Sequence, residues 1–149
     1  MTTIIILSII GAVIAAVIGT VWYSNKTPMG RTHMTYLGFD KLSPEEQLRK
    51  IAEAKPKMPK IYFAQMLLSF LSAFWVVFVV TTSIKNGMPA LYAYVFVLSA
   101  WLCFVVPMAG TGILWGTCDP KIAWKKFFSD IFSNLLTLLV IAFLATLFV

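Results

Sequence analysis

The sequence predicts an all-α protein: a membrane-embedded four-helix bundle with a short amphipathic helix in its first cytoplasmic loop. Composition is the first indication, since the 149 residues are 60% hydrophobic and only 12% charged, outside the usual range of soluble domains. Length is the second, because a helix needs about 20 apolar residues to cross a bilayer and four segments contain that many. Within a single transmembrane domain of residues 1–149, the predicted spans are residues 3–23, 61–84, 90–115 and 123–149.

The distribution of charge predicts the orientation of these spans. Eight of the twelve Lys and Arg residues lie in the loop of residues 24–60, three more lie around the start of the fourth span, and only Lys85 lies between the second and third spans. Because positively charged loops stay on the cytoplasmic side, both termini are expected outside. The cations flank the spans, so we expect the lipid bilayer as their partner and no nucleic acid.

The first span is expected to be retained as a transmembrane helix. Signal peptides begin with a positively charged region, whereas no basic side chain precedes Lys26. Gly11, Ala15 and Gly19 recur every four residues and give this helix a face of small side chains for helix packing, which lets another helix approach closely in lipid. The pattern leaves open whether that helix belongs to the same chain or to a second protomer.

Trp22 and Tyr23 close the first span. Trp and Tyr are enriched at membrane interfaces because their rings lie at headgroup level while their polar atoms stay hydrated. They are therefore expected as interfacial anchors, or alternatively as residues that cap a cavity near Asp130 in the fourth span.

The run Gly19-Thr20-Val21-Trp22-Tyr23-Ser24, followed by Gly30 and by Tyr36-Leu37-Gly38-Phe39, resembles the N-terminal signature of a family of small four-helix membrane proteins of bacteria and archaea. That family is known only as a domain of unknown function. The resemblance implies a four-helix layout in a prokaryotic cytoplasmic membrane. It implies no activity, cofactor or catalytic residue.

The first cytoplasmic loop is long enough to hold a helix of its own. The capping-box pattern of Ser43 and Glu46 predicts a short amphipathic helix over residues 44–54. Such a helix is expected to lie on the cytoplasmic leaflet, the alternative being a docking surface for a soluble partner. Pro56 and Pro59 are expected to end it and to lead extended chain into the second span.

Polar and helix-breaking residues mark the second and third spans. Gln65, Ser69 and Ser72 share one face of the second helix and form a polar stripe. In the third helix, Pro107 removes a backbone hydrogen bond and predicts a kink, and the Gly-Thr-Gly sequence of residues 110–112 is expected to loosen the helix further. This pattern indicates either a plain kink or a cavity that receives the freed backbone groups.

The fourth span carries the feature around which the bundle is expected to be organised. Asp130 is followed at helical spacing by Ser133, Asn134 and Thr137. Because a carboxylate inside a span costs roughly 2.5–3.5 kcal/mol, we expect other helices to supply partners for Asp130, with Gln65 at the same depth. The candidate polar cavity comprises Asp130, Asn134, Gln65, Tyr23 and Trp22.

No catalytic, cofactor-binding or metal-binding constellation is recognisable in the sequence. His33 stands alone, and Cys103 and Cys118 have neither the spacing of a disulfide framework nor that of metal ligands. We therefore do not expect an enzyme. The sequence favours a structural or accessory subunit that packs with itself, as a homo-oligomer, or with a larger membrane complex. The alternative is a small oligomeric carrier or channel, proton- or cation-linked, that uses Asp130 in a cytoplasmic-facing cavity.

Overall fold

The computed structural model describes residues 1–114 and 118–149, and within those ranges it contains helices and connecting turns but no strand. Four helical segments are long and apolar enough to cross a membrane: Thr2–Trp22, Pro44–Lys85, Ala90–Leu114 and Pro120–Leu147. The prediction of an all-helical chain with four candidate spans is confirmed. Trp115, the last residue of the third predicted span, lies outside the described residues.

Short connections join the α-helices along the described chain. The helices are α1 (Thr2–Trp22), α2 (Pro28–Tyr36), α3 (Pro44–Ala54), α4 (Met58–Lys85), α5 (Ala90–Ala100), α6 (Val106–Leu114) and α7 (Pro120–Leu147). Successive long segments run antiparallel, so the protein has two distinguishable ends. We call the end with both chain termini and the turn of residues 86–89 the terminal end, and the end with α2, α3 and the start of α7 the loop end.

The two central helices are α4 and α7. Helix α4 packs against α1, α5 and α7, and α7 also packs against α1, α2, α5 and α6. Their closest packing lies at the terminal end, in an apolar cluster whose most buried members are Ala73, Val76, Val77, Val80, Ala93, Val97, Ile141, Ala142 and Ala145. At the loop end, by contrast, residues 61–68 of α4 are all exposed. The long helices therefore pack tightly along one half of their length and loosely along the other.

Gly11 sets the distance between α1 and its neighbours in this apolar cluster. A methyl group at this position would lie 2.9 Å from Cβ of Ala73 on α4 and 3.3 Å from Cγ2 of Ile141 on α7. Carbon atoms do not approach each other that closely, so the absence of a side chain is what permits this contact. At Gly11, the small-residue face of α1 is thus covered by helices of the same chain.

Helix α2 is an element that the sequence analysis does not predict. Its N-cap is Thr27, whose hydroxyl accepts a hydrogen bond from the Gly30 amide at 2.9 Å and donates one to the Trp22 carbonyl at 2.7 Å. Gly30 is buried, and a side chain there would meet the Tyr23 carbonyl oxygen at 2.8 Å. The signal was present in the sequence, since Thr followed by Pro is a typical N-cap and first helical residue.

The connection between α3 and α4 differs from the prediction. Pro56 and Pro59 were expected to lead extended chain into the second span, and this expectation is wrong: Lys55–Lys57 forms a single 3₁₀ turn, and helix continues on both sides of it. The physical reason is that each proline lies in the first turn of a helical element, where no amide hydrogen is needed.

The third span is irregular directly before Pro107, where the sequence predicts a disturbed helix, and regular at residues 110–112, where further loosening was expected. Residues Trp101–Val105 form a π-helical turn, in which the Val106 amide donates to the carbonyl of Trp101, five residues back. Pro107 follows directly, and this wider turn accommodates the ring and the missing amide hydrogen. Residues 110–112, which were expected to loosen the helix, lie within regular α6.

We expect Gly11→Ala to lower the stability of the protein relative to Gly19→Ala. Both changes gain helix propensity, but only the first methyl group clashes, because nothing lies within 4 Å of a side chain at Gly19. Overpacking of this kind costs about 1–3 kcal/mol. Thermal unfolding of the two variants in the same detergent measures the difference, and equal stabilities would refute the close packing described for α1.

Candidate functional site

A cavity of about 490 Å³ lies at the loop end, between α1, α4, α7 and the third span. Its apolar lining is Ala15, Gly19, Leu68, Val105, Ala109, Leu138 and Ile141, and its polar lining is Tyr23, Gln65, Ser69, Ser72, Asp130, Ser133, Asn134 and Thr137. The polar side chains come from three helical segments because each presents one polar face inward. The loose half of the helix packing thus encloses a space that polar and apolar side chains line in similar measure.

Asp130 is the charged group of this cavity, and two side chains hold its carboxylate. Tyr23, at the end of α1, donates its hydroxyl hydrogen to Oδ1 at a distance of 2.6 Å. Lys126, one helical turn earlier on α7, donates from Nζ to Oδ2 and forms an ion pair. The carboxylate therefore has both a neutral partner from another helix and a charged partner from its own helix, which offsets the cost of placing it within a span.

Lys126 was not predicted from the sequence as the partner of Asp130. Lys126 and Asp130 are four residues apart, a spacing that places them on one helix face. Their side chains are only 18% and 26% exposed, so this pair is shielded from solvent. The signal was available in the spacing, but the neighbouring aromatic residues and lysines gave the segment the composition of a membrane interface.

The polar faces of α4 and α7 lie on opposite sides of the cavity, with no hydrogen bond between them. On α7, Asn134 donates to the carbonyl of Asp130 at 2.8 Å, and the Thr137 hydroxyl donates to the carbonyl of Ser133 at 2.8 Å, both within the same helix. Across residues 1–114 and 118–149, no side-chain hydrogen bond joins α4 to α7. The polar side chains of α4 and the side-chain acceptor atoms of Asn134 and Thr137 on α7 therefore remain available to molecules inside the cavity.

Helix α2 covers the loop-end side of Asp130. The ring of His33 on α2 lies 5.1 Å from the ring of Tyr23, measured between centroids, and Nζ of Lys126 lies 5.2 Å from the ring centroid of Tyr36. Burial lowers the pKa of His33 below its ordinary value of 6.5, and the positive charge of Lys126 lowers it further. The neutral form of His33 is thus favoured, and its ring packs against Tyr23, a partner of Asp130, a role that its isolation in the sequence did not indicate.

The structure brings most of the predicted site residues together. Asp130, Asn134, Gln65 and Tyr23 line one cavity, together with Ala15 and Gly19 of the small-residue face. Trp22 lies outside this cavity: its indole Nε1 donates to the Ser129 hydroxyl at 2.9 Å and its ring lines a separate groove. The difference arises because adjacent residues of a helix point about 100° apart, so Trp22 and Tyr23 cannot both face inward.

Hydrogen bonding and proton exchange are the chemistry that this arrangement supports. The part of the chain that the structure describes contains no group of three His, Cys, Asp or Glu side chains that could hold a metal ion. Neutral amides and hydroxyls line the cavity together with one carboxylate, which is paired with Lys126 outside the cavity lining, so the site can form hydrogen bonds to a small molecule.

Comparison with known proteins adds no assignment: no protein-family model, curated protein or solved structure matches this chain.

We expect Ser69→Cys to react with a charged thiol reagent that cannot cross lipid, because Ser69 lines the cavity, whose polar lining we expect to hold water. Leu67→Cys is the matched control, since Leu67 lies two residues nearer the loop end of α4 but is not among the residues that line this cavity. Both variants carry Cys103→Ser and Cys118→Ser, which remove the natural thiols. Equal labelling of the two cysteines in vesicles would contradict a water-filled cavity.

We expect the stability of the folded protein to rise with pH up to about 6.5 through the titration of His33. Because its pKa is lower in the folded than in the unfolded chain, the unfolded chain binds more protons between the two values, and above 6.5 this contribution is constant. The protein has one histidine, so NMR of its imidazole follows the titration directly. Lys126→Gln should raise the midpoint, and a midpoint at or above 6.5 in the unmodified protein would contradict the described packing.

Proposed function

We propose that the protein is an integral membrane protein of the four-helix bundle type, and that it binds a small polar or cationic solute in the Asp130 cavity as a proton- or cation-linked carrier or channel. One observation carries this proposal. The polar faces of α4 and α7 line opposite sides of a cavity of about 490 Å³, and no hydrogen bond joins them to each other. Polar groups that served packing alone would bond to one another, since each unsatisfied group in lipid costs free energy.

The ion pair of Asp130 and Lys126 provides the coupling chemistry. A cation that enters the cavity competes with the ammonium group of Lys126 for the carboxylate, and a proton bound to Asp130 weakens its attraction to Lys126. Binding of the solute and binding of a proton are therefore linked through one carboxylate. Tyr23 keeps that carboxylate in place during either change, because its hydroxyl donates to the other oxygen atom.

The loop end is proposed to face the cytoplasm of a prokaryotic cell, with both termini outside. Eleven of the twelve Lys and Arg residues lie at or next to the loop end, and Lys85 alone lies at the terminal end. The positive-inside rule supports this orientation, which would place the cavity in the cytoplasmic half of the membrane, beneath α2. Helix α3, with Leu48 and Ile51 exposed, is then placed to contact the cytoplasmic leaflet.

A structural or accessory subunit is the second candidate, and one observation favours it. The Asp130 carboxylate already has two partners within the chain, as a polar group that serves only packing would. Contact with a second protomer or a larger complex would then use a surface other than Gly11, which its own chain covers. This candidate predicts that changes at Asp130 affect stability or assembly alone.

We expect Asp130→Asn to abolish proton- or cation-linked flux in vesicles that contain the purified protein. The flux is followed with a pH-sensitive dye under an imposed membrane potential, first without and then with a panel of inorganic and small organic cations. The matched control is Asp119→Asn: Asp119 caps α7 at the same end, does not line the cavity, and asparagine also caps helices.

A second variant separates function from folding in this experiment. Asp130→Asn leaves the ammonium group of Lys126 without its partner, which can itself lower stability. The double variant Asp130→Asn, Lys126→Gln removes both charges and should keep the fold while lacking flux. Unchanged flux in this double variant would refute the carrier proposal. The absence of flux in the unmodified protein, together with a loss of assembly in the Asp130 variants, would also refute it and would support the accessory subunit.

A further inference from the structure

A second cavity of about 620 Å³ lies on the outer surface of α7, at the loop end and separate from the Asp130 cavity. One face of α7 forms its floor, with Lys125, Phe128, Phe132 and Leu136 among the lining residues. Trp22 of α1 forms one wall and is fixed to the floor by its hydrogen bond to Ser129. We call this space the α7 groove. Unlike the Asp130 cavity, it is almost entirely apolar, and its one charged side chain belongs to Lys125.

The dimensions of the α7 groove match one leaflet of a bilayer. From Lys125 to Leu136 the helix rises by about 16 Å at 1.5 Å per residue. Half of the hydrocarbon thickness of a bilayer is about 15 Å. Trp22 and Phe128 lie beside the charged end, and aromatic rings are enriched at the headgroup level. The groove thus has a cation at the level of the membrane surface, and its lining is apolar from there to the depth at which an acyl chain ends.

Helix α2 contributes a third wall to the groove. Pro28, Met29 and Thr32 of this helix are among its lining residues. The order of α2 depends on the Thr27 cap and on the close contact at Gly30, so this wall is built into the fold. The α7 groove is therefore lined by three helices, and α2 belongs to the loop end, where a lipid headgroup would lie.

The charge at the headgroup end selects an anion. Lys125 is exposed, and within the residues that the structure describes its ammonium group forms no ion pair. The segments that line the groove are close in sequence to three further basic residues, Lys26, Arg31 and Lys121. The positive charge of the loop end therefore surrounds this part of the protein. An anionic phosphate beside Lys125 would gain electrostatic energy that a zwitterionic headgroup gains only in part.

We propose that the α7 groove binds an anionic phospholipid, with one acyl chain along Phe128, Phe132 and Leu136 and the headgroup phosphate at Lys125. The bound lipid would hold α1, α2 and α7 together on the side of α7 opposite to Asp130. This site requires insertion of the helices into a membrane, but it does not require that the Asp130 cavity transports anything.

Native mass spectrometry of the full-length protein tests this proposal by counting retained lipid. The detergent-solubilised protein is mixed with phosphatidylglycerol or with phosphatidylcholine of the same acyl chains. We expect phosphatidylglycerol to be retained in preference, and Lys125→Gln to weaken its binding about five-fold, the effect of one lysine at a lipid surface. Lys121→Gln is the matched control, since Lys121 is a lysine of the same helix that does not line the groove. Equal retention of the two lipids, or equal loss in the two variants, would overturn the proposal.

Two further measurements identify which part of the ligand is bound. Soluble glycerol phosphate supplies the anion without an acyl chain, and we expect it not to displace phosphatidylglycerol; displacement would show a simple phosphate site and overturn the proposal. Leu136→Trp fills the deep end of the groove and should reduce retention although Lys125 is intact. Leu136 is 43% exposed, so the larger ring is tolerated, and circular dichroism verifies the fold. Full retention in this variant would refute the acyl-chain position.

Discussion

The hydrogen bond from Tyr23 and the ion pair with Lys126 are the contacts on which the loop end of this protein depends. A carboxylate inside a span is costly unless it has partners, and Asp130 has one on its own helix and one on α1. The Tyr23 contact ties the end of α1 to α7 at a point where the helices otherwise pack loosely. It also places α2, which follows Tyr23 in the chain, over the site, with His33 against the Tyr23 ring.

The structure is asymmetric along the helix axes, and this asymmetry produces the cavity. At the terminal end, Gly11 and Ala73 allow α1 and α4 to approach closely, and branched apolar side chains such as Val77 and Ile141 fill the space between the helices. At the loop end the corresponding positions carry polar side chains, which do not bond across the gap. The four long helical segments thus pack tightly through apolar side chains at the terminal end, and at the loop end they enclose the cavity that contains Asp130.

Much of the fold was predictable from the sequence, and the site only in part. Long apolar segments identify candidate spans without tertiary information, because the bilayer fixes their length. The inward position of Tyr23 follows from the register of α1, which composition does not reveal. Lys126 was misinterpreted because lysines near the end of a span usually face the headgroups, whereas this one pairs with Asp130 and lies under α2, against the ring of Tyr36. The π-helical turn before Pro107 was likewise not predictable, because the sequence shows that a proline disturbs the helix but not which irregular turn accommodates it.

A double-mutant cycle tests most directly whether Tyr23 and Asp130 hold the loop end together. The free energies of unfolding of Tyr23→Phe, Asp130→Ala and the double variant are compared with that of the unmodified protein in one detergent, because alanine, unlike asparagine, removes the acceptor of the Tyr23 hydrogen bond. The cycle cancels the effect of leaving Lys126 unpaired, because both Asp130 variants share it. We predict a coupling energy of about 1 kcal/mol, within the range measured for hydrogen bonds between membrane helices. Additivity of the two changes to within about 0.3 kcal/mol would contradict the account.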